Sequence, residues 1–83
     1  MDRNPELKVS SAVLTLRLWR KTLEDRITER RELVAYWRQR VLAARTDAES
    51  CEARGYRWQV EADIANIEDT VKHVDMLLSN LEG

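Results

Sequence analysis

The chain of 83 residues has no phenylalanine and only one cysteine, one histidine, one proline and two glycines. One cysteine excludes an internal disulfide and a cysteine metal cluster. One histidine leaves too few groups for a histidine-rich metal site or a nucleophile with its own base. The sequence also lacks the glycine-rich loop that cradles nucleotide phosphates. We therefore predict a protein that is not an enzyme and that holds no metal and no cofactor.

The lone histidine and the lone cysteine are the remaining candidates for chemistry. Carboxylate-bridged metal bundles use a Glu-x-x-His motif, but Thr70 stands three residues before His73. Cys51 is far along the chain from that histidine, so no neighbouring base activates its thiol. We expect His73 to flank a helix contact or face solvent, and Cys51 to be a packing residue.

Long apolar runs are also missing. No segment approaches the ~18 consecutive apolar residues that cross a bilayer. The first residues also lack the apolar core and the small-residue cleavage site of a signal peptide. The net charge is −1, so no strong overall field draws the chain to nucleic acid or to a membrane surface. These features predict a cytoplasmic protein that does not bind membranes.

The chain does have a regular heptad spacing of apolar residues. A first stripe steps by fours and threes from Val9 to Cys51, and only Arg20 and Arg30 interrupt it. A second run, from Val60 to Leu81, repeats the spacing in a different phase. Such repeats are typical of helices that pack against other helices in coiled coils. Both segments are therefore predicted to be helical.

Gly55 is the residue at which the phase change predicts a turn. Pro5 suits the first turn of a helix, and a glycine suits the position after a helix end. The sequence thus predicts an all-α antiparallel hairpin in a single domain, residues 5–83, after a flexible tail at residues 1–4. Its long helix spans about 5–54 and its shorter helix about 57–82. The predicted seam between them consists of Val34, Trp37, Val41, Ala44, Ala48, Cys51, Val60, Ile64, Ile67, Val71, Val74, Leu78 and Leu81.

Two other chain paths remain open. Thr46 and Glu49 match a capping box, which would place the turn near residue 45 and leave Gly55 inside a helix. A bend near residues 29–31 would instead produce a three-helix bundle, although no helix-breaking residue stands there.

Charges beside the seam favour antiparallel pairing. The first 45 residues carry eleven Lys and Arg against six Asp and Glu, and the remainder carries three against nine. With a turn at Gly55, the basic flank of the first helix meets the acidic flank of the second. One register pairs Arg45 with Glu61, Arg38 with Glu68 and Arg31 with Asp75, and a register slipped by one heptad pairs the same arginines with Glu68, Asp75 and Glu82.

A turn at Gly55 leaves the early part of the first helix unpaired. This overhang is apolar on more than one side, which predicts a covering partner. We expect a second copy to cover it in a dimeric helical bundle, and another protein's helix is the alternative occupant. The predicted interface consists of Val9, Val13, Leu14, Leu16, Leu18, Trp19, Arg20, Leu23, Ile27 and Arg30.

These features predict a coiled-coil protein-binding module that acts as a scaffold, adaptor or regulator and forms homodimers or small homo-oligomers. The alternative is a nucleic-acid-associated factor. In that case the arginines of the first helix would contact phosphates, and Trp19 and Trp37 would stack on bases.

Overall fold

The computed structural model describes the backbone of residues 5–82 and the side chains of residues 10–82. Two helices make up this part of the chain, α1 (Pro5–Ala43) and α2 (Asp47–Glu82). They pack side by side in opposite directions and form a rod with extents of 69 × 18 × 15 Å. The predicted all-α helical hairpin is confirmed, and the predicted tail at residues 1–4 lies outside the described residues.

The chain reverses at residues 44–46, so the predicted turn at Gly55 is wrong. The amide nitrogen of Glu49 donates to Oγ1 of Thr46 at 3.1 Å. In return, Oε2 of Glu49 accepts from the amide nitrogen of Arg45 at 3.0 Å. These two bonds satisfy amide groups that the start of α2 would otherwise leave without partners. The alternative turn, near Thr46, is the one that the structure contains.

Gly55 lies inside α2 on its solvent-facing side. Its φ angle is not positive, and a Cβ added there would meet no atom within 4 Å. The conformation therefore does not require glycine. The helix tolerates the roughly 1 kcal/mol that glycine costs in a helix interior because the opposite face of α2 is packed against α1.

The phase of the α2 stripe shows why Gly55 does not end a helix. The run that begins at Val60 continues backwards in the same heptad phase through Arg57, Ala53 and Ser50, and Ala53 is buried. Ala48 and Cys51 extend the α1 stripe only by coincidence. Both are exposed, so their predicted place in the seam is wrong.

The first stripe does mark the contact face of α1. Every position of that stripe from Val13 to Ala44 is buried or half-buried, and the positions between them are exposed. At the centre of the core, Leu23 packs with Leu78 and with Val74, which is completely buried. Around this centre pack Val13, Leu16, Ile67 and Val71, and Ile27 and Val34 are buried farther along α1.

The two helices are nearly equal in length, with 39 residues in α1 and 36 in α2. Because the turn comes early, α2 is long enough to reach back along α1 to Arg17, which forms an ion pair with Glu82. From Val13 onward, α1 packs against α2, so the long overhang expected in the early part of the first helix is absent from this part of the chain. The bend considered near residues 29–31 is absent as well, since α1 is continuous there.

Replacing Thr46 with alanine is expected to lower the free energy of unfolding by about 1 kcal/mol, because Oγ1 is the acceptor for the Glu49 amide. Thermal unfolding followed by circular dichroism measures the effect, and a fall in Tm of about 4–8 °C is expected. Thr28→Ala is the matched control, since the Thr28 hydroxyl bonds only within α1. Equal Tm values for the two variants would contradict the cap.

Candidate protein interaction surface

The two arginines in the α1 stripe contact acids of α2. Nε of Arg20 lies 2.6 Å from Oδ1 of Asp75, and Nε of Arg30 lies 3.0 Å from Oδ2 of Asp63. Both arginines are half-buried, so their stems add to the seam while their charged ends reach its margin. These contacts give Arg20 and Arg30 a place within the hairpin, although the sequence suggested that they face a partner.

From Arg17 onward, one edge of the hairpin carries only charged residues. The seven positions of a heptad are lettered a to g, and the seam residues occupy positions a and d. Positions e and g flank the seam on its two sides, and antiparallel pairing sets e beside e and g beside g. We call the e side the charged edge. It consists of Arg17, Glu24, Arg31, Arg38, Arg54, Glu61, Glu68, Asp75 and Glu82.

The observed pairs on the charged edge differ from both predicted registers. Nη2 of Arg38 lies 3.8 Å from Oε1 of Glu61, and Arg17 pairs with Glu82. The predicted pairs are not formed because the earlier turn slides α2 along α1. Since these side chains are exposed, each pair contributes at most about 1 kcal/mol and mainly helps to select the orientation.

The opposite, g side of the hairpin is much less polar. Trp19 and Leu33 of α1 are 46% and 47% exposed, and the adjacent Tyr36 is 52% exposed. Tyr56 and Leu77 of α2 are exposed on the same side. We call these five residues the apolar edge. Its side chains are available to a partner, because the core of the hairpin forms without burying them.

Stacked aromatic rings fix the part of the apolar edge nearest the turn. The rings of Trp37 and Tyr56 stack with centroids 4.7 Å apart and an interplanar angle of 21°. Tyr36 meets Trp37 edge to face at 5.0 Å. Trp37 is half-buried and joins the two helices. The two tyrosines therefore present ordered rather than freely rotating rings to an incoming partner.

The residues predicted for a partner interface separate into three groups. Leu14, Leu18 and Trp19 are exposed, whereas Val13 and Leu16 are half-buried against the core. Leu23 and Ile27 are buried inside the hairpin, so they cannot contact a partner in this fold. The side chain of Val9 lies outside the described residues.

The residues predicted for the intra-hairpin seam mostly lie there. Val34, Val74 and Leu78 are buried, and Trp37, Val41, Ala44, Val60, Ile64, Ile67 and Val71 are half-buried. Leu81, near the end of α2, is 38% exposed. The prediction omitted Ala53, which the assumed turn placed at the end of the first helix rather than on a packed face.

Sequence reasoning assigned only Trp19 of the apolar edge to an interface. For Leu33 and Tyr36, the signal was the run of tryptophan, leucine and tyrosine at positions g and c of α1. Once the seam is assigned to positions a and d, this run is seen to lie beside the seam, where it stays exposed.

The other ionisable and metal-ligating residues do not form a compact site. His73 and Cys51 are both exposed. Among the described residues, no three His, Cys, Asp or Glu side chains are grouped to hold a metal ion. Neither helix, within residues 5–82, has the length and apolarity needed to span a bilayer. No protein-family model, curated protein or solved structure matches this chain.

Proposed function

We propose that this chain is a non-catalytic protein-binding module, a scaffold, adaptor or regulator that acts through helix–helix packing. The observation that carries this proposal is the apolar edge. Trp19, Leu33 and Tyr36 remain about half exposed although the hairpin already has a core. Large apolar groups that stay exposed along one side of a small folded protein are typical of an interaction site, and Trp and Tyr are the usual anchors of such sites.

The contrast between the two edges indicates how a partner is oriented. A helix that packs on the apolar edge removes aromatic surface from water, while the charged edge stays hydrated on the opposite side. Covering the exposed half of one aromatic ring contributes on the order of 2–3 kcal/mol before the costs of association. Two or three such anchors support a reversible contact.

The ion pairs favour a protein partner over nucleic acid. Arg17, Arg20, Arg30 and Arg38 of α1 all have an acidic partner on α2. A phosphate backbone would have to compete with these carboxylates and would approach the neighbouring acids of α2 as well. The basic character of α1 in the sequence is thus largely balanced inside the hairpin.

Replacing Trp19 and Leu33 with lysine is expected to abolish partner binding without unfolding the hairpin. The full chain, fused to a proximity-labelling enzyme, would be expressed in the organism that supplies the sequence. The matched control is Ser11→Lys with Gln39→Lys, which adds the same charge at exposed positions elsewhere on α1. The unmodified chain and the control are expected to label the same proteins. The labelling signal of those proteins is expected to fall at least about tenfold with the double-lysine variant.

Circular dichroism of the purified variants verifies that both remain helical. An unchanged set of labelled proteins in the folded Trp19→Lys, Leu33→Lys variant would overturn the proposed function. Recovery of nucleic acid that falls steeply as salt is raised would favour the phosphate-binding alternative, since counterion release makes such binding strongly salt-dependent.

A further inference from the structure

We propose that a second copy of the chain occupies the exposed side of α1, with the two α1 helices antiparallel about a two-fold axis between residues 27 and 28. This inference rests on the proposed interaction function and names its partner. The observation that supports it is a second stripe with heptad spacing on α1, whose residues match those of the same stripe on an antiparallel second copy.

The second stripe lies at positions g and c, next to the seam. Like the first, it steps by threes and fours, so it forms a continuous band along one side of the helix. All of its residues are exposed. From one end of the band to the other they are Ala12, Thr15, Trp19, Thr22, Arg26, Glu29, Leu33, Tyr36, Arg40 and Ala43.

Antiparallel pairing of two such bands matches their residues. In antiparallel coiled coils, a core residue at position a faces a core residue at position d of the neighbouring helix. In the second stripe, positions g and c take the places of a and d, so each g residue faces a c residue. With the axis between residues 27 and 28, Trp19 faces Tyr36 of the second copy and Thr22 faces Leu33. Ala12 faces Ala43 at the two ends. The aromatic anchors of one copy therefore meet those of the other.

The charges at the centre of the band match as well. Arg26 faces Glu29 of the second copy, and symmetry produces this pair twice beside the axis. Neither residue has an ion-pair partner of its own among the described side chains. A central charged pair flanked by apolar anchors is a device that selects both register and orientation in coiled coils.

Other registers lose this match. A shift of one heptad in one direction sets Glu29 against Trp19, and a shift in the other direction sets it against Leu33. Both shifts leave Arg26 without an acid and shorten the overlap. The chosen axis falls at the midpoint of the band from residue 12 to residue 43, so the two bands overlap for about 47 Å. An unrelated partner helix would require no such symmetry.

The corresponding band of α2 is polar, which assigns the contact to α1. Between Tyr56 and Leu77 it carries Gln59, Asp63, Asn66, Thr70 and His73, and Asn80 follows.

The aromatic groups of two α1 helices supply roughly 300–500 Å² of newly buried surface, and the remaining positions must complete the ~1,200 Å² of a specific interface. A contact of this kind is expected to dissociate at micromolar concentrations.

A charge exchange tests the register. Arg26→Glu and Glu29→Arg each create like charges across the axis, so each variant alone is expected to dimerise at least about tenfold more weakly. Mixed together, the two variants place glutamates of one chain opposite arginines of the other and are expected to recover dimers. Sedimentation equilibrium from about 1 µM to about 1 mM measures masses against the 9.8 kDa of one chain.

Engineered thiols test the orientation in a Cys51→Ser background. Ala12→Cys and Ala43→Cys lie at opposite ends of one band, too far apart to join within a chain. Under mild oxidation, each single variant is expected to stay largely uncrosslinked, and a mixture of the two is expected to form a disulfide-linked heterodimer. Efficient crosslinking of each variant alone would indicate parallel helices and would overturn the proposed arrangement.

The outcomes separate this inference from the proposed function. A chain that stays at 9.8 kDa over the whole concentration range overturns the self-association proposal. If proximity labelling of the unmodified chain nevertheless depends on Trp19 and Leu33, the interaction function stands and the partner is a different protein. Dimers that form equally well with Arg26→Glu alone would overturn the proposed register.

Discussion

Leu23→Asp is expected to unfold the hairpin. Leu23 is only 4% exposed and packs with Val74 and Leu78. The substitution removes a core side chain, at a cost of about 2–5 kcal/mol, and places an unpaired carboxylate in an apolar site, at a further cost of several kcal/mol. The sum approaches the roughly 4–12 kcal/mol of total stability expected for a domain of this size. Far-ultraviolet circular dichroism measures the loss of helix.

Leu18→Asp is the matched control because it makes the same chemical change on the same helix at a position that is 61% exposed. Its cost is expected to stay near 0.5 kcal/mol, which reflects helix propensity alone. Full helicity in Leu23→Asp, together with loss of self-association, would instead show that Leu23 faces a partner. That result would indicate that α2 does not cover the early part of α1, as a turn at Gly55 predicts.

Gly55→Pro and Gly55→Ala are expected to change stability in opposite directions. Alanine should raise the free energy of unfolding by about 1 kcal/mol, because Gly55 has helical backbone angles and open space around its Cβ position. Proline should lower it by about 3 kcal/mol or more, because it removes a hydrogen bond within α2 and clashes with the preceding turn. Thermal or urea unfolding measures both changes.

Asp47→Pro is the control for the proline substitution. Asp47 is the first residue of α2, where proline is well tolerated. Its cost should therefore remain well below that of Gly55→Pro. A destabilising Gly55→Ala, combined with a severe effect of Asp47→Pro, would contradict the turn at residues 44–46 and would favour the turn predicted at Gly55.

The contact face of α1 could be read from the sequence with little ambiguity. Its heptad spacing continues through Arg20 and Arg30, and the same positions are buried or half-buried along the helix. A long side chain can occupy such a position when its stem packs and its charge reaches the margin. Local spacing was therefore sufficient to identify the face.

Two signals in the sequence favour different positions for the turn. Ala48 and Cys51 happen to extend the spacing of α1, and glycine is the strongest common marker of a helix end. The capping box at Thr46 and Glu49 pointed to the correct position, but it contributes only about 1 kcal/mol. Packing of α2 against α1 outweighs the cost of one glycine inside a helix, and this energy cannot be evaluated from local sequence.

The position of the turn also changed the candidate interaction surface. With the turn at Gly55, Leu23 belonged to an uncovered overhang, and Ile27 beside it was predicted to contact a partner. With the turn at residues 44–46, α2 covers them, and the residues of the apolar edge are among the apolar groups that stay exposed. The apolar edge as a whole thus became recognisable only after the pairing of the helices was known.

The order of residues along the chain was enough to specify two amphipathic helices that pack as a coiled coil, because heptad spacing places apolar groups on one face of each helix. The pairing of those faces was decided only in three dimensions. Moving the reversal point toward the N-terminus slides one helix along the other, and that displacement determines which charges meet, which leucines are buried and which aromatic rings remain exposed.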